Sequence, residues 1–400
     1  ARARGGGPQC RLSPALGPRL RVNAACRVMT PRASVPPVTR PLPGLLLSEL
    51  ASELGSRTRA IQTLKWLYGL SSLPERIPSS IPNVARDVFR PFAERHGLLV
   101  PKLLSEHRSQ DGTRKFVFDL AGSSVESVLI QESQRSTVCL SSQAGCTRRC
   151  AFCATQSLGF ERMLRAEEML AQYWACRMQA PPDRPAKNVV FMGMGEPMDN
   201  LEEVLRAVEL LNQGPAPGLR LSSVTVSTSG VVPGMRRFLR ECKASLALSL
   251  NATTDEQRER LMPHNRTWPI AALLEVLRED AAATCKTRDT LVEYVLLANV
   301  NDTDADADRL ISLLRDLPVR INLIPYNAHA QSAFVAPSPE RVRAFQRRLL
   351  DAGYRCFARR SHGPDIAAAC GQLALVALDP KRSLKVPAVE PVSLRASALG

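Results

Sequence analysis

Val138–Phe160 reads VCLSSQAGCTRRCAFCATQSLGF, and the reading of this stretch decides the fold. Val138–Ser142 is short, apolar and β-branched at its start, as a buried strand is. Cys146, Cys150 and Cys153 follow at C-x3-C-x2-C spacing, and an amphipathic run begins just beyond them. Three thiolates so spaced can hold three irons of one 4Fe–4S cluster and leave the fourth iron open, whereas a structural zinc or cluster site takes four protein ligands. An open iron lets a cluster bind a small molecule directly. A zinc knuckle needs a fourth ligand at short spacing. The nearest cysteines are Cys139, on the strand, and Cys176, inside the following helical run; His329 and His362 are distant. A disulfide framework suits short secreted chains instead. The expected context is a metal loop leaving a strand and entering a helix.

Downstream, strand and helix patterns alternate. Buried strands are expected at Val138–Ser142, Asn188–Met192, Ser223–Ser227, Ser245–Leu250, Leu291–Leu297 and Arg320–Pro325. Helices are expected at about 163–179, 201–212, 254–262, 270–282, 303–317 and 338–352, the last with Ser338 as N-cap and Pro339 at its first position. Such alternation means a parallel sheet with helices outside. Six units predict an α/β fold, a partial six-unit (β/α) barrel with its chemistry at the strands' C-terminal ends. Those ends are polar. The second strand runs into Gly193-Met194-Gly195-Glu196-Pro197, where glycines admit a ligand close to the backbone and Glu196 can accept from an ammonium group. The third ends at Ser227-Thr228-Ser229-Gly230, the fourth at Ser249-Leu250-Asn251 and the sixth at Tyr326-Asn327. Each alone reads equally as a cap or turn; on one rim together they favour a polar ligand. Asp302–Asp308 imitates a calcium loop but has Ala307 for the glycine and Leu313 for the final glutamate, so it reads as acids in a helix's first turn.

Upstream, residues 44–100 read as helices, Leu45–Leu54 and Arg57–Tyr68 first, then one from near Asn83 that Pro91 should kink or end. They predict a small N-terminal helical accessory domain. Residues 101–135 read as a short-strand connector with turns at Asp111–Gly112 and Ala121–Gly122. The barrel with its C-terminal cysteine segment is expected over 136–375 and a flexible tail over 376–400. Residues 1–43 are rich in Arg, Gly and Pro, without periodicity, and read as a disordered basic extension. Its prolines would break an amphipathic targeting helix, and Met29 is a candidate initiator, so a dispensable extension is expected rather than a targeting peptide.

The net charge is +15; removing the eight arginines of residues 1–40, which hold no acid, leaves 45 basic against 38 acidic residues, or +7. A basic body fits an anionic partner such as nucleic acid. Three clusters stand out: Arg236–Arg237–Arg240, Arg341–Arg343–Arg347–Arg348 and Arg355–Arg359–Arg360; each reads equally as a solvated face. No apolar run is long enough for a membrane span. Eleven cysteines beside a cluster motif suit a reducing compartment, and a cytoplasmic protein is expected.

Beyond the three-cysteine loop, which is the hallmark of radical S-adenosylmethionine (SAM) enzymes, residues 44–375 resemble the RlmN/Cfr family of radical SAM RNA adenine methyltransferases. The resemblance rests on Lys65–Tyr68, Arg108–Thr113, Cys139–Phe160, Asn188–Pro197, Val224–Pro233, Ala247–Ala252, Val292–Val295, Ile321–Asn327 and Asp365–Leu373. It implies a 4Fe–4S cluster on Cys146, Cys150 and Cys153. It implies SAM contacts at Gly195, Glu196, Ser227, Ser249, Leu250, Asn251 and Asn327. Family members often carry His where this chain has Asn251, which keeps hydrogen bonding but cannot titrate.

The resemblance further implies that one SAM methylates Cys370 and that a radical from a second SAM takes hydrogen from that methyl group. The resulting carbon then adds to adenine. Glu126 matches the proton acceptor, and Cys139 matches the thiol that attacks Cys370 and releases the RNA through a transient disulfide. The implied target is carbon 2 of adenine in large-subunit rRNA, with tRNA as a further substrate; carbon 8, or another RNA, is the alternative. Neither carbon is nucleophilic enough for ordinary methyl transfer, which is why radical chemistry is needed. The expected partners are RNA and an external electron donor, and the expected state is a monomer. A non-catalytic RNA binder would have lost one of these cysteines or Glu126, and a small-molecule enzyme would not need the Cys139/Cys370 pair.

Overall fold

The computed structural model describes residues 40–72, 74–214, 216–283, 290–330 and 332–375. The expectations for residues 1–39 and for the tail 376–400 lie outside the described residues. The strands are β1 (Lys102–Arg108), β2 (Arg114–Leu120), β3 (Ser123–Gln131), β4 (Ser136–Cys139), β5 (Gln143–Gly145), β6 (Phe160–Met163), β7 (Ala186–Phe191), β8 (Val224–Thr228), β9 (Ser245–Ser249), β10 (Thr290–Leu296), β11 (Val319–Pro325) and β12 (Arg355–Ala358). Ten of them form one sheet in the order β1-β2-β3-β4-β7-β8-β9-β10-β11-β12, while β5 and β6 pair separately. From β4 to β12 every pairing in that sheet is parallel. From β1 to β4 every pairing is antiparallel. The first and last strands do not meet, so the barrel is open and partial.

The six expected parallel strands are present with small shifts at their ends. Their runs are apolar because helices cover the sheet, as parallel sheets require. β12 is a seventh parallel strand absent from the sequence reading: its Arg355 and Phe357 are exposed at the sheet edge, so no buried run announces it.

The helices are α1 (Leu47–Glu53), α2 (Arg57–Gly69), α3 (Arg86–Arg95), α4 (Ala166–Arg177), α5 (Leu201–Asn212), α6 (Val232–Glu241), α7 (Asp255–Leu261), α8 (Ile270–Ala283), α9 (Asp304–Leu313) and α10 (Pro339–Asp351). α6 was not expected; Pro233 reads as a breaker but sits in its first turn, where a missing N–H costs nothing. α3 runs past Pro91 to Arg95, because Phe89 and Phe92 on either side of the proline are fully buried and hold it by packing. The aspartate-rich string starts α9: Thr303 caps Asp306 N at 3.1 Å and Asp306 reaches back to Thr303 N.

α4, the helix after the cysteine loop, is buried on almost every side. A helix apolar on one face only would not be. The N-terminal region supplies the outer cover. Tyr68 of α2 packs on Trp174 with ring centroids 5.9 Å apart, Arg177 donates to Tyr68 O (3.1 Å), and Arg40 donates to the buried Glu167 (2.7 Å). Removing a ring as buried as Trp174 costs about 3–5 kcal/mol. The accessory helices thus fasten to the strand–loop–helix unit that carries the cysteines.

Candidate active site at the strand ends

β5 and β6 clamp the cysteine loop at its base. Cys146 N donates to Gly159 O (2.8 Å). Gly145 has φ +73°, and a Cβ there would lie 2.0 Å from Gly159 O, so only glycine closes this loop. The loop is tied on one side to α7 by Ala151 N to Leu261 O (2.8 Å). On the other it is tied to the C-terminal segment by Ala154 N to Gly371 O (2.7 Å). Cys146, Cys150 and Cys153 all face one open cavity of about 950 Å³, counting the part open to solvent. Burial pushes the Cys146 thiol up to about 12 and Cys150 well above the ordinary thiol range; neighbouring sulfurs push both further. Cys153 is raised by burial too. Three thiols that resist ionising together need local positive charge to become thiolates, and a metal cluster supplies it. Among the described residues no three His, Cys, Asp or Glu side chains form a single-ion site. The three cysteines open on one cavity, and thiols are the soft donors that iron–sulfur centres take.

The polar strand ends line the same cavity. Gly195, with φ +105°, packs on Gln143, where a Cβ would meet the side chain at 2.6 Å. Glu196 is buried, and burial raises its pKa against the bonds that it accepts. Its Oε1 accepts from Thr228 Oγ1 (2.7 Å) and Met198 N (3.0 Å); its Oε2 accepts from Ser229 N (2.8 Å) and Ser229 Oγ (2.6 Å). The carboxylate's acceptor sites are therefore in use, and an ammonium ligand would take the place of a hydroxyl. Ser227 Oγ donates to Glu293 Oε2 (3.0 Å) beside Ser249. Asn251 adopts a left-handed φ of +59°, which asparagine tolerates. Its Oδ1 accepts from Val295 N (2.9 Å), and its Nδ2 donates to the weak acceptor Met262 Sδ at 3.4 Å. Asn327 completes the rim, and Leu250 does not: it is fully buried and meets the site through its backbone alone, Leu250 N to Glu293 O at 3.0 Å.

A smaller cavity, about 470 Å³ counting open space, adjoins the first. Cys139, Cys370, Asn327, Arg359 and Arg360 are among its walls. Cys139 and Cys370 are both free thiols here. Burial, and then the nearby Cys370, push Cys139 up to about 12, with Arg359 opposing. Among the described residues, the guanidinium of Arg359 meets Met192 Sδ at 3.7 Å and Glu293 Oε1 at 4.0 Å. The Cys370 segment is latched from several sides. Asn327 Nδ2 donates to Cys370 O (3.2 Å), Gln372 Nε2 to Ala328 O (2.7 Å), Thr155 Oγ1 to Leu373 O (2.7 Å) and Ser109 Oγ to Asp365 Oδ1 (2.6 Å). Glu126 lines neither cavity. It is buried on β3 behind this segment, with Lys115 Nζ 2.9 Å from its Oε1.

Several residues of the site drew no attention in the sequence. Arg258 is fully buried under the rim and donates to Leu250 O (3.0 Å), Ser249 O (3.2 Å), Asn265 Oδ1 (2.9 Å) and Ser229 O. A charged residue on a short polar helix gives no sign of burial. Two of the three basic clusters are largely spent on acids: Arg236 pairs with Glu279, Arg237 with Glu202 and Glu241, Arg341 with Asp304, and Arg348 with Asp308. The third brings Arg359 and Arg360 to the cysteine cavity.

The Radical SAM superfamily matches residues 140–311. A curated relative from Geobacter sulfurreducens, the dual-specificity RNA methyltransferase RlmN, is 44% identical over 339 residues, 82% of this chain and 91% of the relative. RlmN of Marinobacter nauticus is 40% identical over 88% of this chain and 96% of its own. The crystal structure of a radical SAM methyltransferase from Sphaerobacter thermophilus superposes with a TM-score of 0.77 at 38% identity, covering 84% of this chain and 99% of that one.

Proposed function

As the chain belongs to the RlmN family of radical SAM methyltransferases, we propose that it methylates adenine in RNA, at carbon 2 in large-subunit rRNA and in tRNA, with Cys370 carrying the methyl group. The observation that carries this reading is the pair of adjoining cavities. Three cysteines and the polar rim line one, Cys139 lines the other, and Cys370 and Asn327 line both.

Cys146, Cys150 and Cys153 would hold a single 4Fe–4S cluster, and Gly195, Glu196, Ser227, Ser249, Asn251 and Asn327 would hold SAM, with Leu250 contributing backbone. Bound there, cluster and SAM supply the radical that activates a methyl group on sulfur. Cys370 holds that methyl group at the border of the two cavities and becomes the link to the RNA base. Glu126 takes the proton from the methylated carbon, the bond pair returns to the ring, and the unpaired electron left by radical addition passes to a one-electron acceptor, so the ring is closed-shell and aromatic again. The Cys139 thiolate then attacks the Cys370 sulfur: an S–S bond forms, the bond from that sulfur to the methylene carbon breaks, and that carbon keeps the pair and takes up a proton as methyl. An external donor of electrons reduces the Cys139–Cys370 disulfide for the next turnover. The target base has to leave its stack to reach the cavity. No described helix is long and apolar enough to cross a membrane, and a cytoplasmic monomer suits an enzyme that meets ribosomal RNA.

The test is reconstitution with SAM and reductant, followed by mass spectrometry of digested RNA against 2-methyladenosine and 8-methyladenosine standards. The 2-methyl product is expected. No methyladenosine from protein with full iron and sulfide content overturns the reading, and the 8-methyl product overturns its position.

A further inference from the structure

Strand register brings together three groups that are far apart in sequence. Lys115 of β2 pairs with Val128 of β3, and Val128 pairs with Cys139 of β4. Directly paired residues project from the same face of a sheet, so Lys115, Val128 and Cys139 form one row. Glu126 is two residues from Val128, on the same face and one step along. The segment that carries Cys370 covers this face: Val128, Cys139, Ala368, Ala369 and Leu373 share the smaller cavity.

Lys115 and Glu126 are buried, at 1% and 0% exposure. Lys115 Nζ lies 2.9 Å from Glu126 Oε1, at ion-pair distance but without hydrogen-bond alignment, so Oε1 keeps unused acceptor capacity. The same ammonium donates to Ala367 O at 3.2 Å, three residues before Cys370. Leu375 N donates to the other carboxylate oxygen, Oε2, at 3.3 Å. One lysine thus fastens both a carboxylate and the backbone of the cysteine arm. A buried ion pair is weak ground for stability, since apolar residues of similar size commonly serve as well or better. Its geometry calls for another account.

Resting on the reading of Glu126 as proton acceptor, we propose that Lys115 is a positioning residue for release of the methylated RNA. It aims Glu126, and it ties that carboxylate to the arm that delivers the base-bound carbon. In the step it serves, the C–H bond at the methylated carbon breaks, its electron pair stays in the ring, the proton bonds to a carboxylate oxygen, and the unpaired electron left by radical addition leaves to a one-electron acceptor, which restores aromaticity. Without the ammonium, the buried carboxylate loses its neighbouring cation and the arm loses its tie at Ala367 O, so neither is held in place for the transfer.

The test uses the full chain, reconstituted, with Lys115→Met and Lys115→Gln, and reads methylated RNA beside the protein–RNA adduct that survives denaturation. Methylated product is expected to fall roughly tenfold to a hundredfold while adduct accumulates, as it should in Glu126→Gln. Lys115→Arg, which restores the charge, is expected to recover product in part. Product and adduct falling together in both Lys115→Met and Lys115→Gln would mark a merely structural lysine and overturn the proposal. Turnover like wild type overturns it as well. If Glu126→Gln and Cys139→Ala form no adduct either, the underlying reading of the reaction fails rather than the role of the lysine.

Discussion

Replacing Arg258 with methionine should loosen the floor of the strand-end cavity proposed to take SAM. The side chain is wholly buried and joins the ends of two strands: it donates to Ser229 O beyond β8, to Ser249 O and Leu250 O at the end of β9, and to Asn265 Oδ1. Methionine fills much of the stem's volume and makes none of these bonds. A hydrogen bond from a charged donor contributes roughly 1.5–3 kcal/mol, and an orphaned buried carbonyl costs about 1–3 kcal/mol. Against this, the buried charge itself carries a desolvation penalty of several kcal/mol that the variant escapes; the same burial pushes the Arg258 pKa down to about 10. The net loss should be about 3–5 kcal/mol, as when one partner of a buried charged network is removed. That is a large share of the roughly 5–15 kcal/mol by which proteins are stable. Urea unfolding followed by circular dichroism reads the loss, with Arg258→Lys as the control that keeps the charge and fewer bonds; equilibrium dialysis reads SAM affinity. Both should fall in the order wild type, lysine, methionine. A methionine variant within about 1 kcal/mol of wild type, with unchanged SAM affinity, refutes the role given to Arg258.

Further outcomes follow from the same geometry. Gly145→Ala forces a Cβ to within 2.0 Å of Gly159 O at a φ of +73°, a strain of about 1–3 kcal/mol or more; iron and sulfide retained after reconstitution should drop while far-UV circular dichroism is unchanged. His264, whose Nε2 donates to Ser229 O (2.8 Å), has its pKa pushed down to about 4, by burial first and by Arg258 and Arg148 nearby. Between the ordinary histidine value of 6.5 and about 4 the unfolded chain binds a proton that the folded one does not. Stability should therefore fall as pH drops through that window and level off below it, and His264→Gln should flatten the profile. Arg360→Gln, at the cysteine cavity, should weaken RNA binding and reduce the salt slope by about one if it meets a phosphate. Arg237→Gln, already paired with Glu202 and Glu241, should leave both unchanged.

The parallel strands were legible because each is a buried apolar run between turn residues, and the rim was legible because polar residues end those runs. What escaped the sequence did so for local reasons. β12 sits at the sheet edge with Arg355 and Phe357 exposed, so its pattern is that of a loop. Lys115 alternates with Phe116 and Phe118 in an antiparallel strand, which ordinarily puts a lysine in water; only the C-terminal segment folded over that face buries it. Arg359 and Arg236 look alike in composition, yet one lines the cysteine cavity and the other pairs with Glu279. Charge counts cannot separate them, because the partners are more than forty positions away in sequence.

β4 is where the two halves of the sheet meet, antiparallel toward β3 and parallel toward β7. This explains how one short stretch serves two kinds of thiol chemistry. Cys139 is still in register, paired across to Val128 and Val190, and its burial keeps it protonated with a pKa pushed up to about 12. After it the chain stays fixed, with Leu140 N on Val190 O (2.9 Å) and Ser142 N on Met194 O (2.9 Å), before β5 releases it into the loop at Cys146. The thiols of the loop gather around one cavity, and the strand thiol faces the other. A protonated thiol is a poor nucleophile, so burial holds Cys139 unreactive in the cavity it shares with Cys370. Its reactivity then depends on charge brought close to the sulfur, and Arg359, with few partners of its own, is the cation that the fold holds there. The seven-residue step from Cys139 to Cys146 therefore carries the chain from a thiol held in the sheet beside one cavity to thiols gathered around the other.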